Sequence, residues 1–195
     1  RPVVVGTPTP GAIVLAGGMA TRFGGVVKAN VEVSGGRTFL DLKVALGDLA
    51  ARRAGAAPPP LVALTSFATD QAVHDALARI DAGPRLSTVP QCVSVRLTPR
   101  GEILRIGRTG GEPSLYAPGH GDLPEAFLAR GELDRLSQRG VRTLWISNVD
   151  NLGATIDPVI LGWHLASKRA LDVEVCRRVA GETGGAPALY DGRVQ

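Results

Sequence analysis

A glycine loop with added positive charge is the first segment whose residues could do chemistry. It reads Leu15-Ala16-Gly17-Gly18-Met19-Ala20-Thr21-Arg22-Phe23-Gly24-Gly25, and Lys28 follows shortly after. Glycine lets backbone N–H groups approach a ligand closely and form a nest for an anion, and Arg22 and Lys28 add fixed charge. The loop suits a triphosphate, although these residues alone also fit a flexible turn. It matches neither GxxxxGK[ST] nor GxGxxG.

Two further turns carry polar side chains. Tyr116-Ala117-Pro118-Gly119-His120-Gly121-Asp122 sets a histidine between glycines, which suits a surface for a base or ribose but also a tight turn. Ile146-Ser147-Asn148-Val149-Asp150-Asn151-Leu152-Gly153-Ala154-Thr155 has one carboxylate flanked by two amides. Mg²⁺ takes few protein ligands and keeps waters and phosphates, so Asp150 is a candidate ligand. A plain turn between a strand and a helix is the alternative.

The elements that must position these turns alternate between strand and helix. Buried strands are predicted at 12–16, 61–65, 86–89 and 141–146, and helices at 39–54, 70–80, 124–138 with a break near Gly131, and 158–169. The apolar positions of the first helix are Phe39, Leu42, Leu46 and Leu49. This alternation predicts an α/β fold with a largely parallel sheet. Ligands bind at the carboxyl ends of such strands, where the glycine loop and Asp150 are expected.

The other segments predict smaller features. Alternating residues predict a hairpin over 93–106 and a strand over 171–179, and Asp191-Gly192 predicts a hairpin turn near the end of the chain. Residues 107–122 are rich in glycine and proline and predict a long functional loop. The chain starts at Arg1 and its only methionine is Met19, so we expect a piece of a longer polypeptide.

Composition narrows the function classes. The net charge of the 195 residues is +4, with 19 arginines and 3 lysines spread along the chain and eight aromatic residues outside any basic cluster. This distribution favours small anionic ligands over a nucleic-acid polymer. No apolar run reaches the roughly 18 residues that span a bilayer, so no membrane partner is expected. Cys92 and Cys176 lack zinc-ligand spacing and are expected to be buried thiols of a cytoplasmic protein.

Taken together, five blocks in order resemble the UDP-sugar pyrophosphorylase family, which includes UTP–glucose-1-phosphate and N-acetylhexosamine-phosphate uridylyltransferases. They are LAGGMATRFGG with its lysine and the following VEVSGGRTFLDLK, LTSFATD, VPQ, PGHGD and SNVDNLGATID. The resemblance reaches from Ala12 to Gln195. Ala20 and Val27 stand where the family commonly has a glycine and a proline.

The resemblance implies a role for each matching residue. Leu15, Ala16, Gly17 and Gly18 would lie against the nucleotide, with Arg22 and Lys28 as catalytic cations on the triphosphate. Gln91 and Gly121 would contact the uracil edge. His120, Asn151, Gly184 and Gly185 would lie near the sugar phosphate, and Asp150 would hold Mg²⁺.

The resemblance also implies the fold and the reaction. The fold would be a Rossmann-like three-layer α/β sandwich of the GT-A-like sugar nucleotidyltransferase type, with an inserted β-hairpin. Residues 1–195 would be the N-terminal part of its catalytic domain. The reaction would join UTP and a sugar-1-phosphate, foremost glucose-1-phosphate, into a UDP-sugar and release pyrophosphate. Alternatives are a non-catalytic nucleotide-binding module, or the same fold with an N-acetylhexosamine-1-phosphate or another nucleoside triphosphate. Oligomeric state is not predicted.

Overall fold

The structure is a computed structural model that describes residues 10–20, 24–80, 83–107, 111–177, 179, 181 and 187–194. Three predicted site residues, Arg22, Gly184 and Gly185, lie outside the described residues. The chain divides into two units, Arg1–Gly162 and Trp163–Gln195.

Short strands and helices follow one another along both units. The strands are β1 (Gly11–Leu15), β2 (Met19–Ala20), β3 (Val26–Val27), β4 (Glu32–Ser34), β5 (Arg37–Thr38), β6 (Leu61–Thr65), β7 (Leu86–Pro90), β8 (Ser94–Val95), β9 (Arg105–Ile106), β10 (Glu112–Pro113), β11 (Leu115–Tyr116), β12 (Leu144–Asn148), β13 (Leu189–Tyr190) and β14 (Arg193–Val194). The helices are α1 (Phe39–Ala54), α2 (Asp70–Arg79), α3 (Leu123–Ala129), α4 (Glu132–Gln138) and α5 (Pro158–Ser167).

Four parallel strands form the central sheet in the order β12-β1-β6-β7. β1 and β6 lie in the middle and are apolar and buried along almost their whole length, as strands covered on both faces must be. The four predicted strands are therefore confirmed, with β12 beginning three residues later than expected, but β7 and β12 lie at the edges of the sheet and are mostly half-buried or exposed rather than buried.

Helices cover both faces of the sheet, which makes three layers. One face packs Ala12 and Val14 of β1 against α1 and α2, and the other packs Ile13 of β1 against Phe127 of α3 and Leu136 of α4. The alternation of strand side chains sends neighbouring residues to opposite faces, so both helical layers meet the same strands. The predicted three-layer α/β sandwich with a mostly parallel sheet is confirmed.

The first helix follows its predicted limits but buries different positions. Thr38 Oγ1 accepts a hydrogen bond from the Asp41 N–H at 3.2 Å, and Gly55 ends the helix with φ +66°. The buried positions are Leu40, Lys43, Val44 and Ala51, whereas the predicted apolar positions Phe39, Leu42, Leu46 and Leu49 are half-buried. The helix thus turns a stripe that contains a lysine toward the sheet.

The segment after β7 is the inserted hairpin that the alternation predicts. Leu97 pairs with Ile103 in antiparallel fashion, which confirms its turn. The loop predicted over 107–122 is correct only in part, because β10 pairs with β9 and β11 pairs with β8, and residues 108–110 lie outside the described residues. The hairpin offers two free strand edges, and this segment forms hydrogen bonds with both of them.

The second unit contains the predicted terminal hairpin but not the predicted strand before it. Asp191 and Gly192 take φ of +48° and +71°, as a two-residue hairpin turn requires, and β13 pairs with β14. Residues 171–177 form no strand, because no described segment pairs with them. Cys176 is exposed rather than buried, and in the first unit Cys92 is half-buried. Among the described residues, no helix has both the length and the apolar character to cross a bilayer.

Candidate active site

The carboxyl edge of the central sheet brings the glycine loop and the turn that carries Asp150 side by side. Leu15 at the end of β1 lies in register with both Leu64 of β6 and Asn148 of β12. Just past this register, the Ala16 N–H donates to the Leu64 carbonyl at 2.8 Å and the Val149 N–H donates to the Leu15 carbonyl at 3.2 Å. The glycine loop and the Asp150 turn therefore leave the same edge of the sheet as neighbours.

Lys28 joins these two turns. β2 and β3 form a small hairpin that returns the chain, so that the Lys28 N–H donates to the Gly18 carbonyl at 3.2 Å. Its Nζ lies 3.1 Å from Asp150 Oδ2, and both side chains are 38% exposed. A cation and a carboxylate that are 122 positions apart thus share one solvent-facing point beside the glycine loop.

Gln91 connects the glycine loop to the histidine turn. It follows β7, its N–H donates to the Thr65 carbonyl at 3.0 Å, and its side chain is 3% exposed. Gln91 Oε1 accepts a hydrogen bond from the Gly119 N–H at 2.8 Å. A Cβ on Gly17 would lie 2.3 Å from Gln91 Nε2, so any other residue at position 17 would displace the Gln91 amide from its present place. Three predicted site segments thus meet at one buried amide.

The histidine turn is held in place on its other side by Asp122. Asp122 Oδ2 accepts from the Cys92 N–H at 2.6 Å, and Gly119 takes φ +101°, which favours glycine. The carboxylate beside Cys92 adds to partial burial, and together they raise the pKa of that thiol. His120 and Gly121 form the exposed part of this turn. The hydrogen bond from the Gly119 N–H to Gln91 Oε1 attaches them to the site.

The Asp150 turn is suited to a divalent cation that also binds phosphate. Asp150 Oδ2 accepts from Lys28, and within the described residues no group of three or more His, Cys, Asp or Glu side chains could hold a metal. A lone, half-exposed carboxylate fits Mg²⁺, which keeps several waters and relies on substrate phosphates for its other ligands. Asn151 Oδ1 accepts from the Ala154 N–H at 3.2 Å, which fixes the turn behind the carboxylate.

A buried lysine behind this turn was not among the predicted site residues. Lys43 of α1 is 2% exposed, and its Nζ donates to Ser147 Oγ at 3.0 Å, the Asn151 carbonyl at 2.5 Å and the Ala154 carbonyl at 2.9 Å. Burial lowers the pKa of Lys43 to about 8, and the opposing attraction of Asp150 limits that shift. One feature of the sequence could have indicated this residue. Lysine is rare in the chain, and Lys43 lies three residues after Leu40 and next to Val44, on the buried stripe of α1.

Comparison with known proteins decides the family. The sequence profile of UTP–glucose-1-phosphate uridylyltransferase matches residues 11–195. The chain belongs to this family. The UTP–glucose-1-phosphate uridylyltransferase of Saccharomyces cerevisiae is 33% identical over 186 residues, which is 93% of this chain and 37% of the yeast protein. That of Solanum tuberosum is 32% identical over 193 residues, with 93% of this chain and 39% of the potato protein covered.

Solved structures of uridylyltransferase-family enzymes share the fold. The UDP-glucose phosphorylase of Trypanosoma brucei has a TM-score of 0.76 at 27% identity, over 95% of this chain and 41% of that one. A variant UDP-glucose pyrophosphorylase of Leishmania major, solved with UDP-glucose, has a TM-score of 0.73 at 28% identity, over 90% of this chain and 38% of that one. The chain therefore spans well under half the length of the relatives that it matches.

The lowered pKa of Lys43 predicts a pH dependence of stability in this uridylyltransferase-family chain. Below about pH 8, Lys43 is charged in both the folded and the unfolded chain, and the folded chain carries the cost of burying that charge. Between about 8 and the ordinary value of 10.5, the unfolded chain keeps a proton that the folded chain has released. The Lys43 contribution to the free energy of unfolding therefore rises with pH across this window.

Urea unfolding of the chain and of Lys43→Met, at a series of pH values from 7 to 10.5, measures this dependence. We expect the difference in free energy of unfolding to shift in favour of the lysine as pH rises. Other titrating groups cancel in the difference. A difference that stays constant across the window would contradict the lowered pKa.

Proposed function

We propose that this chain forms the nucleotide-binding part of a UTP–glucose-1-phosphate uridylyltransferase, which makes UDP-glucose from UTP and glucose-1-phosphate and releases pyrophosphate. The single observation that carries the proposal is the convergence at one sheet edge of the glycine loop, the Lys28–Asp150 pair and the turn attached through Gln91. The relatives named for this reaction support the substrates.

The reaction is an in-line displacement at phosphorus. An oxygen of the sugar phosphate attacks the α-phosphorus of UTP and forms the new P–O bond, while the bond to the β-phosphate oxygen breaks and its electron pair leaves with pyrophosphate. The attacking phosphate is already ionised, so no strong general base is needed. The protein must hold two polyanions together and offset charge at the pentacoordinate phosphorus.

The proposed roles follow the chemistry of the described side chains. Lys28 would neutralise phosphate charge, and the backbone of Gly17 and Gly18 would lie against the nucleotide. Asp150 would hold Mg²⁺, which when bound supplies further positive charge to phosphate oxygens. Gln91 and Gly121 would contact the uracil edge, and the Gly119 N–H holds the Gln91 side chain in place.

The remaining roles complete the proposed site. His120 would lie by the ribose and sugar phosphate and Asn151 by the sugar, with Leu15 and Ala16 behind the nucleotide. Arg22, Gly184 and Gly185 keep the roles that the family resemblance implies, on the triphosphate and beside the sugar. The cytoplasmic location and the lack of nucleic-acid and membrane partners are part of the same proposal.

A pyrophosphate-release assay tests the function on the natural polypeptide that carries these 195 residues. Purified protein, UTP, glucose-1-phosphate and Mg²⁺ are expected to release pyrophosphate and form UDP-glucose. N-acetylglucosamine-1-phosphate in place of glucose-1-phosphate, and GTP in place of UTP, are expected to react poorly. UTP binding by calorimetry without pyrophosphate release from any of these mixtures would favour a non-catalytic nucleotide-binding module instead.

A glycine inside the nucleotide loop and one outside it give a matched test of the loop. In Gly17→Ala the added Cβ would push on Gln91 Nε2 and lies 3.3 Å from the Thr65 carbonyl, so we expect loss of the Gln91–Gly119 bond. The affinity for UTP should fall about tenfold, in line with the loss of one buried hydrogen bond and the accompanying strain. In Gly162→Ala, in α5 and outside the proposed site, the added Cβ has no atom within 4 Å.

Isothermal titration with UTP compares the two variants. Gly162→Ala should keep its affinity for UTP within about threefold, because the added methyl meets no other atom and a helical alanine is not strained. Equal affinities for Gly17→Ala and the unaltered protein would show that Gln91 does not organise the nucleotide site.

A further inference from the structure

Lys43 is a buried cation to which the proposed reaction assigns no part. It lies one turn into α1, on the face that packs against the sheet, and only 2% of it is exposed. Its Nζ lies 5.0 Å from the centre of the Trp145 ring of β12. A lysine is rarely so buried unless its charge has specific partners, so the partners indicate what the residue does.

The three partners bracket the turn that carries Asp150. Ser147 lies in β12 before the turn, and the Asn151 and Ala154 carbonyls lie after Asp150. An ammonium group has three N–H donors, and here each one has an acceptor. One side chain of α1 therefore ties the beginning and the end of the turn to the helix.

The turn has few other ties to the body of the first unit. Asn151 Oδ1 and the backbone bonds of Asn151, Leu152 and Ala154 stay within the turn itself. Val149 bonds to Leu15 before the turn, and Lys28 contacts Asp150 from a half-exposed position. Half-exposed ion pairs contribute little to stability, so among the described residues Lys43 makes the polar contacts that fix the far half of the turn, next to Ile156, which packs against the core.

We propose that Lys43 is a positioning residue, which sets the place of Asp150 and Asn151 by holding the two ends of their turn against α1. This inference rests on the proposed function for its catalytic consequence, but its structural part does not. Holding a charged group in a fixed position matters in phosphoryl chemistry because a displacement of about 1 Å can cost a hundredfold in rate.

Hydrogen exchange tests the structural part without any substrate. In Lys43→Met, which keeps the length of the stem and removes the charge, amide exchange at Asn151, Leu152 and Ala154 should be at least about tenfold faster. Exchange in the central strand β6 should not change. Lys28→Met is the matched control, since it removes the other lysine beside Asp150, and its exchange at these three amides should match that of the unaltered chain.

Two results would overturn the structural part. Unchanged exchange at the three amides would show that Lys43 does not hold the turn, and equally faster exchange in β6 would show a general role in stability. Ser147→Ala guards against a variant that does not fold, because it removes one of the three acceptors and leaves the charge in place. It should accelerate exchange at the same amides, by a smaller factor than Lys43→Met.

A double-mutant cycle tests the catalytic consequence in the natural polypeptide. Lys43→Met alone should lower kcat for pyrophosphate release at least about tenfold with a smaller change in the KM for UTP. In an Asp150→Asn background it should add little, because the group that Lys43 positions is already lost. Additive losses would overturn positioning through Asp150. An unaltered protein with no activity would refute the proposed function, and the exchange experiment would still decide the structural part.

Discussion

Replacing Asp150 with asparagine is expected to lower kcat for UDP-glucose formation by about a hundredfold or more, which is the usual cost of losing one charge-stabilising contact in the transition state. The substitution keeps the shape of the side chain and removes its charge. Without that charge, the turn that follows β12 can no longer hold Mg²⁺ against the substrate phosphates in the proposed site. Pyrophosphate release at saturating UTP and glucose-1-phosphate measures the effect.

Folding should be nearly unaffected by Asp150→Asn. The carboxylate is 38% exposed, and among the described side chains it hydrogen-bonds only to Lys28, in a pair of the kind that contributes about 0 to 1 kcal/mol, while its attraction for the buried Lys43 acts over a longer distance. Thermal unfolding should therefore change little while kcat falls. Asp134→Asn is the matched control, because Asp134 is an exposed carboxylate of α4 and should change neither quantity. Near-normal turnover in Asp150→Asn would remove the magnesium assignment.

The sequence predicts the central sheet well, together with the glycine loop and the Asp150 turn at its edge, because both depend on local signals. β1 and β6 are continuous apolar runs that end at turn residues, and because β12 runs parallel to β1, the carboxyl ends of β1 and β12 lie at one edge whatever the loops between them do. The proximity of Gly18 and Asp150 follows from that topology. The helix break at Gly131, which takes φ +67°, is likewise a local property of one residue.

Contacts that depend on the rotation of a helix are harder to predict. The larger apolar side chains of α1, such as Leu42 and Leu46, suggest one buried face, but the sheet selects the face of Leu40 and Val44. The helix is therefore rotated about its own axis, by a fraction of a turn, from the orientation that the larger side chains suggest, and this rotation buries Lys43. A lysine stem packs like an apolar side chain while its amine needs partners, and the partners lie 104 to 111 positions away.

Pairing between segments is the other feature that local patterns miss. Alternation over 171–177 is typical of a strand, yet a strand forms only where a neighbour supplies hydrogen bonds, and no described residue does so. In contrast, Glu112–Pro113 and Leu115–Tyr116 have a loop-like composition and become strands because the hairpin before them offers open edges. Gln91 belongs to the same class, since its link to Gly119 appears once the chain is folded.

Replacing Lys28 with methionine is expected to lower kcat by about a hundredfold as well, for a different reason. Its ammonium is 38% exposed beside Gly18, so it can leave Asp150 and move to a phosphate without a large desolvation cost. Its Nζ lies 3.1 Å from Asp150 Oδ2, on the side of the glycine loop where the triphosphate would lie in the proposed site. Lys28→Arg should recover part of the loss, because it keeps the charge but not the compact shape of an ammonium.

Combining Lys28→Met with Asp150→Asn separates two accounts of this pair. If Lys28 acted only by orienting Asp150, the double variant would be no slower than Asp150→Asn, as is expected for Lys43. If Lys28 and the Mg²⁺ that Asp150 would hold each offset phosphate charge, the two losses in kcat multiply, apart from the coupling that the direct Lys28–Asp150 ion pair adds. We expect multiplication, and single-turnover pyrophosphate release by the two single variants and the double variant measures it. A double variant no slower than Asp150→Asn would show that Lys28 acts only by orienting Asp150. The cation that contacts the triphosphate would then have to come from elsewhere in the glycine loop.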